Sequence, residues 1–530
     1  MLLVTADEMR RLDERTIREA GMPAGELMEN AGSGATRVIS ERYSAAEYRN
    51  VLVISGQGHN GGDGLVVARR LQELGYEVDS WLIGSVSQLS ATCKEKLELL
   101  HNVGIKTQFI GANELTEASD FDRYHIIVDA IIGIGRHGNL RDPLPSLIEK
   151  LNQSRAKRVA LDITTGLNAD TGEVAGIAFR ADLTITFALA KRGHFLDVGS
   201  EYTGELVVVD IGIPEQYVDS EYIDNDHIDN ANLLLKLITP AMVANAIPKR
   251  AKDSHKGSHG HALVVGGSRD MPGAPALAAK AAMRVGAGLV TMVAPDSIRP
   301  LIFSYLPEAL FVGVADVEEG FLGHIDLVRF MKDGRKYSAA CYGCGVGRWS
   351  DERAVLELLL KNIGCPLVID ADGLNALAED LGLLVERLGK LILTPHPGEM
   401  ARLLGISATE VNANRVEVAR KFAIDRQVYI VLKGADTVVA TPDGEIFLNK
   451  SAGPELAKGG TGDVLAGMIT GLIAQGIAIA EAICSAVYLH GVAGRLAKEN
   501  SAEQSVIATD VIEEIGTAMM QTIGADNQGK

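Results

Sequence analysis

Cysteine is scarce in this chain, with five in 530 residues. An odd, thin set in a long chain does not suit a disulfide framework and fits a reducing compartment. Cys341 and Cys344 form the single CxxC, without a second pair or histidines at ligand spacing. Zinc is therefore not indicated, and the two read as small residues in the turn YGCGVG. Basic residues are also short, 51 against 69 acids, for a formal net charge of −18. That balance opposes non-specific binding to nucleic acid or an anionic membrane, so any anionic substrate must be met by local amides and a few lysines. Apolar runs long enough for a membrane are missing. Asp7, Glu8, Arg10 and Arg11 interrupt the start, which leaves no signal-peptide core. The uncharged stretch 464–480 is broken by Gly467, Gly471, Gln475 and Gly476 and reads as two buried helices. A cytoplasmic protein that binds neither nucleic acid nor membrane is expected, as a homo-oligomer acting on small molecules.

What is present is β/α alternation. Residues 7–42 read as helices; VLVIS (51–55) reads as a strand, GQGHNGGDG as a glycine loop, and LVVARRLQELG as a helix. YEVDSWLIG, HIIVDAIIG, RVALDIT, LTITFA and LVVVDIG supply further strands. After Pro214 the text turns acidic, and a second α/β series begins with HALVVGGS. The pattern predicts an α/β protein with two three-layer αβα domains, 1–218 and 235–524, joined by an acidic linker at 219–234. Ligands in such sheets lie outside the carboxyl ends of strands, where the Gly-rich loops should converge.

The segment AKGGTGD ends in Asp463 before a long apolar run. Glycines there bare backbone N–H groups at a helix start, which suits an anion, and Asp463 stands where it could take a proton from a hydroxyl. For a lone GxGD the simpler reading is a helix start with a capping acid. Lys433 and Gly434 close the strand VYIVL, and TPHPGE stiffens a strand exit around His396. SHKG, HALVVGGS, MPGAPALAAKAAMRVGAGLV, YGCGVG, DADGLNAL, TPHPGE, VLKGADTVV and AKGGTGD occur in the order found in the NAD(P)H-hydrate dehydratases, which the chain resembles over about residues 235–520. The resemblance implies a ribokinase-like fold and ADP- or ATP-dependent removal of water from the 6S form of hydrated NADH or NADPH. By the family pattern Ala274, Gly345, His396 and Asp463 contact the hydrated dinucleotide, while Lys433, Gly434, Ala435, Asp436, Thr437 and Gly462 hold the adenine nucleotide. Hydroxide leaves poorly, so the C6 hydroxyl is expected to be phosphorylated first, with Asp463 as base. A divalent ion, Mg²⁺, would screen the phosphates, and no dedicated carboxylate cage for it is visible.

In the first half three Gly-rich loops carry oxygens: GQGHNGGDG with Asn60 and Asp63, VDAIIGIGRHGN with Asp129, and LDITTGLNADTG with Asp162 and Thr165. Each alone is an ordinary βα turn. The first is read as a nucleotide cradle rather than as a dinucleotide fingerprint. Together the loops resemble those of the NAD(P)H-hydrate epimerases, the YjeF N-terminal family, over roughly residues 5–218, which implies a Rossmann-like fold. The resemblance assigns the dinucleotide to Asn60, Gly61, Gly62, Asp63 and Gly64, to Gly133, Ile134, Gly135, Arg136, His137, Gly138 and Asn139, and to Asp162. It assigns K⁺ to Asn60, Asp129 and Thr165. The family usually reads DIPSGL where this chain has DITTGL; Thr165 keeps the hydroxyl, and Thr164 in place of Pro is expected to loosen the turn. Asp162 is the expected acid/base. The halves then read as a bifunctional repair enzyme, epimerase and dehydratase; the alternative is a ribokinase-like small-molecule kinase fused to a non-catalytic nucleotide-binding domain.

Overall fold

The computed structural model describes residues 1–110, 120–135, 138–218, 235–318, 320–331 and 336–525. Arg136, His137 and the acidic segment 219–234 lie outside the described residues. The chain forms two compact units, one from Leu2 to Leu234 and one from Leu235 to Lys530 that also takes in Met1.

In the first unit, helix α1 (Ala6–Arg18) opens with a capping box in which Thr5 accepts from the Glu8 N–H and Glu8 accepts from the Thr5 N–H. Two orphan N–H groups are thereby satisfied at once. Helix α2 (Ala24–Arg42) follows. The sheet consists of β1 (Asn50–Ser55), β2 (Glu77–Ile83), β3 (Thr107–Ile110), β4 (Ile126–Ala130), β5 (Lys157–Leu161), β6 (Leu183–Phe187) and β7 (Glu205–Val209). They lie in the order β3-β2-β1-β4-β5-β6-β7, all parallel. Strands β4 and β6 are buried along their full length because helices cover both faces, which is why they read as unbroken apolar runs. Strand order reverses between β1 and β4. A crevice therefore opens at their carboxyl ends, and helix α3 (His59–Glu73) starts there.

The expected glycine loop after β1 is mostly helix: α3 begins at His59, so Asn60 to Gly64 occupy its first turns. The glycines are needed for space. A methyl group on Gly61 would strike the Gly56 carbonyl, and one on Gly64 would strike the Ala130 and Ser55 side chains.

In the second unit the strands are β8 (Leu235–Leu237), β9 (His261–Val265), β10 (Leu289–Pro295), β11 (Leu310–Val314), β12 (Ala339–Tyr342), β13 (Leu367–Ile369), β14 (Leu391–Leu393), β15 (Tyr429–Leu432), β16 (Thr437–Ala440) and β17 (Ile446–Asn449). Their order is β11-β10-β9-β12-β13-β14-β15-β16-β17-β8. From β11 to β15 pairing is parallel, and β15-β16-β17 form an antiparallel meander. Here the order reverses between β9 and β12, which sets a second crevice beside Gly266 and the Gly343–Gly345 turn.

Helices α4 (Gly273–Arg284), α5 (Asp372–Glu379), α6 (Pro397–Leu404), α7 (Thr461–Ala474) and α8 (Ile479–Glu499) pack around this sheet. The uncharged run is thus α7 and the start of α8, as its interruptions suggest. Gly467 and Gly471 face the Ala278 and Ala282 backbone of α4, where any side chain would collide, so the two helices approach closely. No helix among the described residues is long and apolar enough to cross a membrane.

Candidate active sites

In the second unit the left-handed Gly460 (φ 91°) turns the chain into α7 and puts Asp463 at the third helical position. Among the described residues the Gly462 and Asp463 N–H groups have no backbone acceptor, as first-turn donors should not. Beside them lies a charged knot. Lys433 Nζ is 2.6 Å from Asp370 Oδ1 and 3.9 Å from Glu399 Oε2, and the same Asp370 oxygen accepts from Thr394 Oγ1 at 2.8 Å. A methyl group at Gly462 would sit 3.4 Å from Lys433 Nζ, so Lys433, Gly462 and Asp463 share one crevice. Burial, then the nearby Asp370 carboxylate, pushes the Asp463 carboxyl up to about 6. Burial would lower the Lys433 ammonium, but Asp370 and Glu399 outweigh it and the net shift is upward.

His396 is the N-cap of α6. Its Nδ1 accepts from the Gly398 and Glu399 N–H groups at 3.0 and 3.3 Å, while Glu399 Oε2 accepts from the His396 N–H at 2.8 Å. Nε2 therefore carries the proton, 3.5 Å from Glu399 Oε1. Burial and Lys433 lower its basicity, so the ring is neutral near pH 7. Gly345 (φ 66°) packs against Ala274. The exposed turn Gly434–Asp436 is shaped from below by Arg415, whose guanidinium donates to the carbonyls of Leu432, Lys433 and Asp436 at 2.9, 3.0 and 3.0 Å. Thr437 Oγ1 donates to the Gly434 carbonyl at 3.2 Å. Cys341 and Cys344 sulfurs lie 3.9 Å apart, and Cys344 Sγ clusters with carboxylate oxygens of Asp370 and Asp463 within 4.8 Å.

In the first unit a cavity of about 560 Å³ lies at the carboxyl ends of β1, β4 and β5, lined among others by Asp13, Asn60, Asp63, Gly133, Asp162 and Lys191. Asp129 ends β4 fully buried and accepts from the Ile131 N–H (3.1 Å), the Thr165 N–H (2.8 Å) and Thr165 Oγ1 (2.7 Å). Burial raises its carboxyl to about 6 against the pull of those donors. These bonds pin the DITTGL turn to β4 through Thr165, while the buried Thr164 hydroxyl has no hydrogen-bond partner among the described residues. Asp162, directly after β5, has φ 62°, an uncommon conformation for a residue with a side chain. Burial, then the neighbouring Asp162 and Asp13 carboxyls, drives the Asp63 carboxyl well upward, and burial takes Asp13 to about 6.

Not every expected residue joins this cavity. Gly61 and Gly64 are packed inside the fold. Ile134, whose carbonyl accepts from Arg10 at 3.1 Å, and the exposed Gly135 do line it beside Gly133, whereas Asn139, after Gly138 (φ 94°), lines a separate cavity of about 440 Å³. Lys191, Asp13, Asp370, Glu399 and Arg415 were not singled out from the sequence as site residues. GQGHNG, Gly56 to Gly61, carries GxGxxG spacing between a strand and a helix, which is the sequence signal for a dinucleotide crevice.

Two parallel α/β units, each gathering buried carboxyls and a lysine at a strand-end crevice, define a two-site enzyme for small polar substrates. A family model described as NAD(P)H-hydrate dehydratase matches residues 262–517, and one described as YjeF-related protein N-terminus matches 24–193. A bifunctional NAD(P)H-hydrate repair enzyme of Moorella thermoacetica is 36% identical, with 97% of this chain and 96% of that protein covered. Its counterpart in Thermofilum pendens is 33% identical, covering 98% and 96%. A solved ADP/ATP-dependent NAD(P)H-hydrate dehydratase from Bacillus subtilis, co-crystallized with ATP/Mg²⁺, is 33% identical with a TM-score of 0.48, over 55% of this chain and 99% of that one. The chain belongs to the bifunctional NAD(P)H-hydrate repair enzymes.

Proposed function

We propose that the chain returns hydrated NADH and NADPH to use in two steps: the first unit interconverts the R and S epimers, and the second removes water from the S form at the expense of ADP or ATP. The observation that carries the dehydratase half is Asp463 at the head of α7, beside first-turn N–H groups that have no backbone acceptor among the described residues, and beside Lys433. Asp463 takes the proton of the C6 hydroxyl as that oxygen accepts a phosphoryl group, and the N–H groups and Lys433 steady the charge of the group in transit. Phosphate then departs as the ring nitrogen supplies its electron pair, and loss of a proton from C5 to the departing phosphate or to water forms the C5=C6 double bond of the reduced ring. His396 Nε2, Ala274 and Gly345 line the side taken by the dinucleotide; Lys433, the Gly434–Thr437 turn and Gly462 hold the nucleotide. Among the described residues Mg²⁺ finds no dedicated cage: Asp370 is taken by Lys433 and Thr394, and the Cys344 thiol is a poor partner for so hard an ion. When bound with the nucleotide, Mg²⁺ would screen the phosphate charge.

In the epimerase half Asp162 moves the proton that must accompany bond breaking and reforming at C6. Asn60, Asp129 and Thr165 would hold K⁺: each carries a side-chain oxygen, and among the described residues both polar atoms of the buried Asn60 amide have no hydrogen-bond partner. When bound, K⁺ supplies a fixed positive charge in a crevice otherwise rich in acids.

The test is to supply (6S)-hydrated NADH with ADP and follow the absorbance of the reduced ring. Recovery with ADP or ATP is expected. A phosphorylated small-molecule product, with no recovery under either nucleotide, would favour the kinase alternative. Full epimerase activity without K⁺ would remove the ion from the account.

A further inference from the structure

Lys191 is fully buried in the first unit, and the acid/base reading of Asp162 does not use it. A buried ammonium persists only where it is paired and hydrogen-bonded. All three protons of Lys191 are engaged: Nζ forms an ion pair with Asp162 Oδ1 and donates to Thr186 Oγ1 at 2.9 Å and to the Phe187 carbonyl at 3.2 Å. The same Oδ1 accepts from Thr186 Oγ1 at 3.2 Å and lies 3.5 Å from the Phe187 nitrogen. Oδ2 receives no hydrogen bond among the described residues, and Asp162 lines the 560 Å³ cavity.

The backbone is clipped as well. His194 Nδ1 accepts from the Lys191 N–H at 3.1 Å, which leaves the proton on Nε2, 3.0 Å from the Asp162 carbonyl. Burial and the Lys191 charge lower this ring to about 3, so it stays a neutral clip rather than a titrating group. The clip joins the turn after β5 to the segment after β6, and it holds Asp162 at φ 62°, where a residue with a side chain needs support from its surroundings.

We propose that Lys191 is the positioning residue of the epimerase: by engaging Oδ1 it turns Oδ2 of Asp162 toward the hydrated ring as the one oxygen free to carry the proton. This rests on the reading of Asp162 as the acid/base. A chain lacking Lys191 still has the cavity and still binds substrate, but its carboxylate no longer holds one orientation.

The test uses the full-length chain and 6R-enriched hydrated NADH without ADP, so that the dehydratase is idle, with R-to-S conversion above the spontaneous rate followed by chirally resolved chromatography. Lys191→Met is expected to lower kcat about 100-fold while KM stays within about threefold, within the range of positioned acid–base catalysis. Because Lys191 acts through Asp162, the double variant Lys191→Met/Asp162→Asn should be no slower than Asp162→Asn alone. Lys191→Gln keeps a donor to Oδ1 without the charge; it should fall between wild type and Lys191→Met, and it carries the same comparison if the methionine variant does not fold. A wild-type rate in Lys191→Gln or Lys191→Met, with Asp162→Asn inactive, overturns the role of Lys191 and leaves the Asp162 reading standing. Losses that multiply in the double variant overturn it too. A fully active Asp162→Asn overturns both.

Discussion

The two crevices use glycine in opposite ways. In the first unit Gly61 and Gly64 sit in ordinary helical backbone and are glycine because Gly56, Ala130 and Ser55 leave no room for a side chain. In the second, Gly460 has φ 91° and Gly459 faces open space, so the turn needs glycine to bend the chain and bare its amides. The acids divide similarly. Asp162 is held by Lys191 through one oxygen, whereas Asp463 is left to its burial and Lys433 goes to Asp370. A Gly-rich motif beside an acid therefore does not name one mechanism; the neighbours decide whether glycine packs a helix or exposes an anion site.

The largest effect that would sharpen this comparison is on chemistry. Asp463→Asn should reduce dehydration by about 10²–10⁴-fold, the usual reach of a positioned base, with R-to-S exchange unchanged. Near-normal dehydration would return Asp463 to a capping role. The wild-type dehydration rate should also fall about tenfold per pH unit below about 6, where Asp463 becomes protonated.

Stability gives the next effect. The Asp463 carboxyl stands at about 6 in the fold against 3.8 for a free aspartate. Folding thus favours its protonated form: stability is greatest below about pH 4 and declines as pH rises through 6. The gap is worth about 3 kcal/mol at most. Asp463→Asn should accordingly unfold at higher denaturant than the parent chain at pH 8, and the difference should close by pH 4. An equal difference at both pH values contradicts the burial argument.

Two smaller substitutions probe the glycines themselves. Gly61→Ala must push against the Gly56 carbonyl and should destabilise the first unit by about 1–3 kcal/mol, measured by urea unfolding. Gly459→Ala meets nothing within 4 Å. It should change stability by less than about 0.5 kcal/mol, so any loss of dehydration would come from the altered turn. Reversal of the two results would break the contrast.

The alternation of strands and helices was legible because apolar runs of strand length end at Gly, Asp and Pro, and each site loop falls at such an end. His396 as a helix cap and Asp463 in the first turn of α7 follow from the residues flanking them. The first-unit loop was misread because glycines in series suggest a coil, whereas here they are the condition for a helix to pass close to β1 and β4. Lys191 and Asp370 escaped for another reason. Lys191 is 29 residues from Asp162, and Asp370 is 63 residues from Lys433. Nothing local marks such partners; only strand order brings them together.

The most direct test of two independent sites is complementation in a mixture of Asp162→Asn and Asp463→Asn chains, given ADP and both epimers of hydrated NADH. Asp162→Asn alone should return the S portion quickly and the remainder only at the spontaneous rate, and Asp463→Asn alone should return almost none. Mixed, the two should return the whole pool at an enzymatic rate. A mixture no better than Asp162→Asn alone would contradict the account.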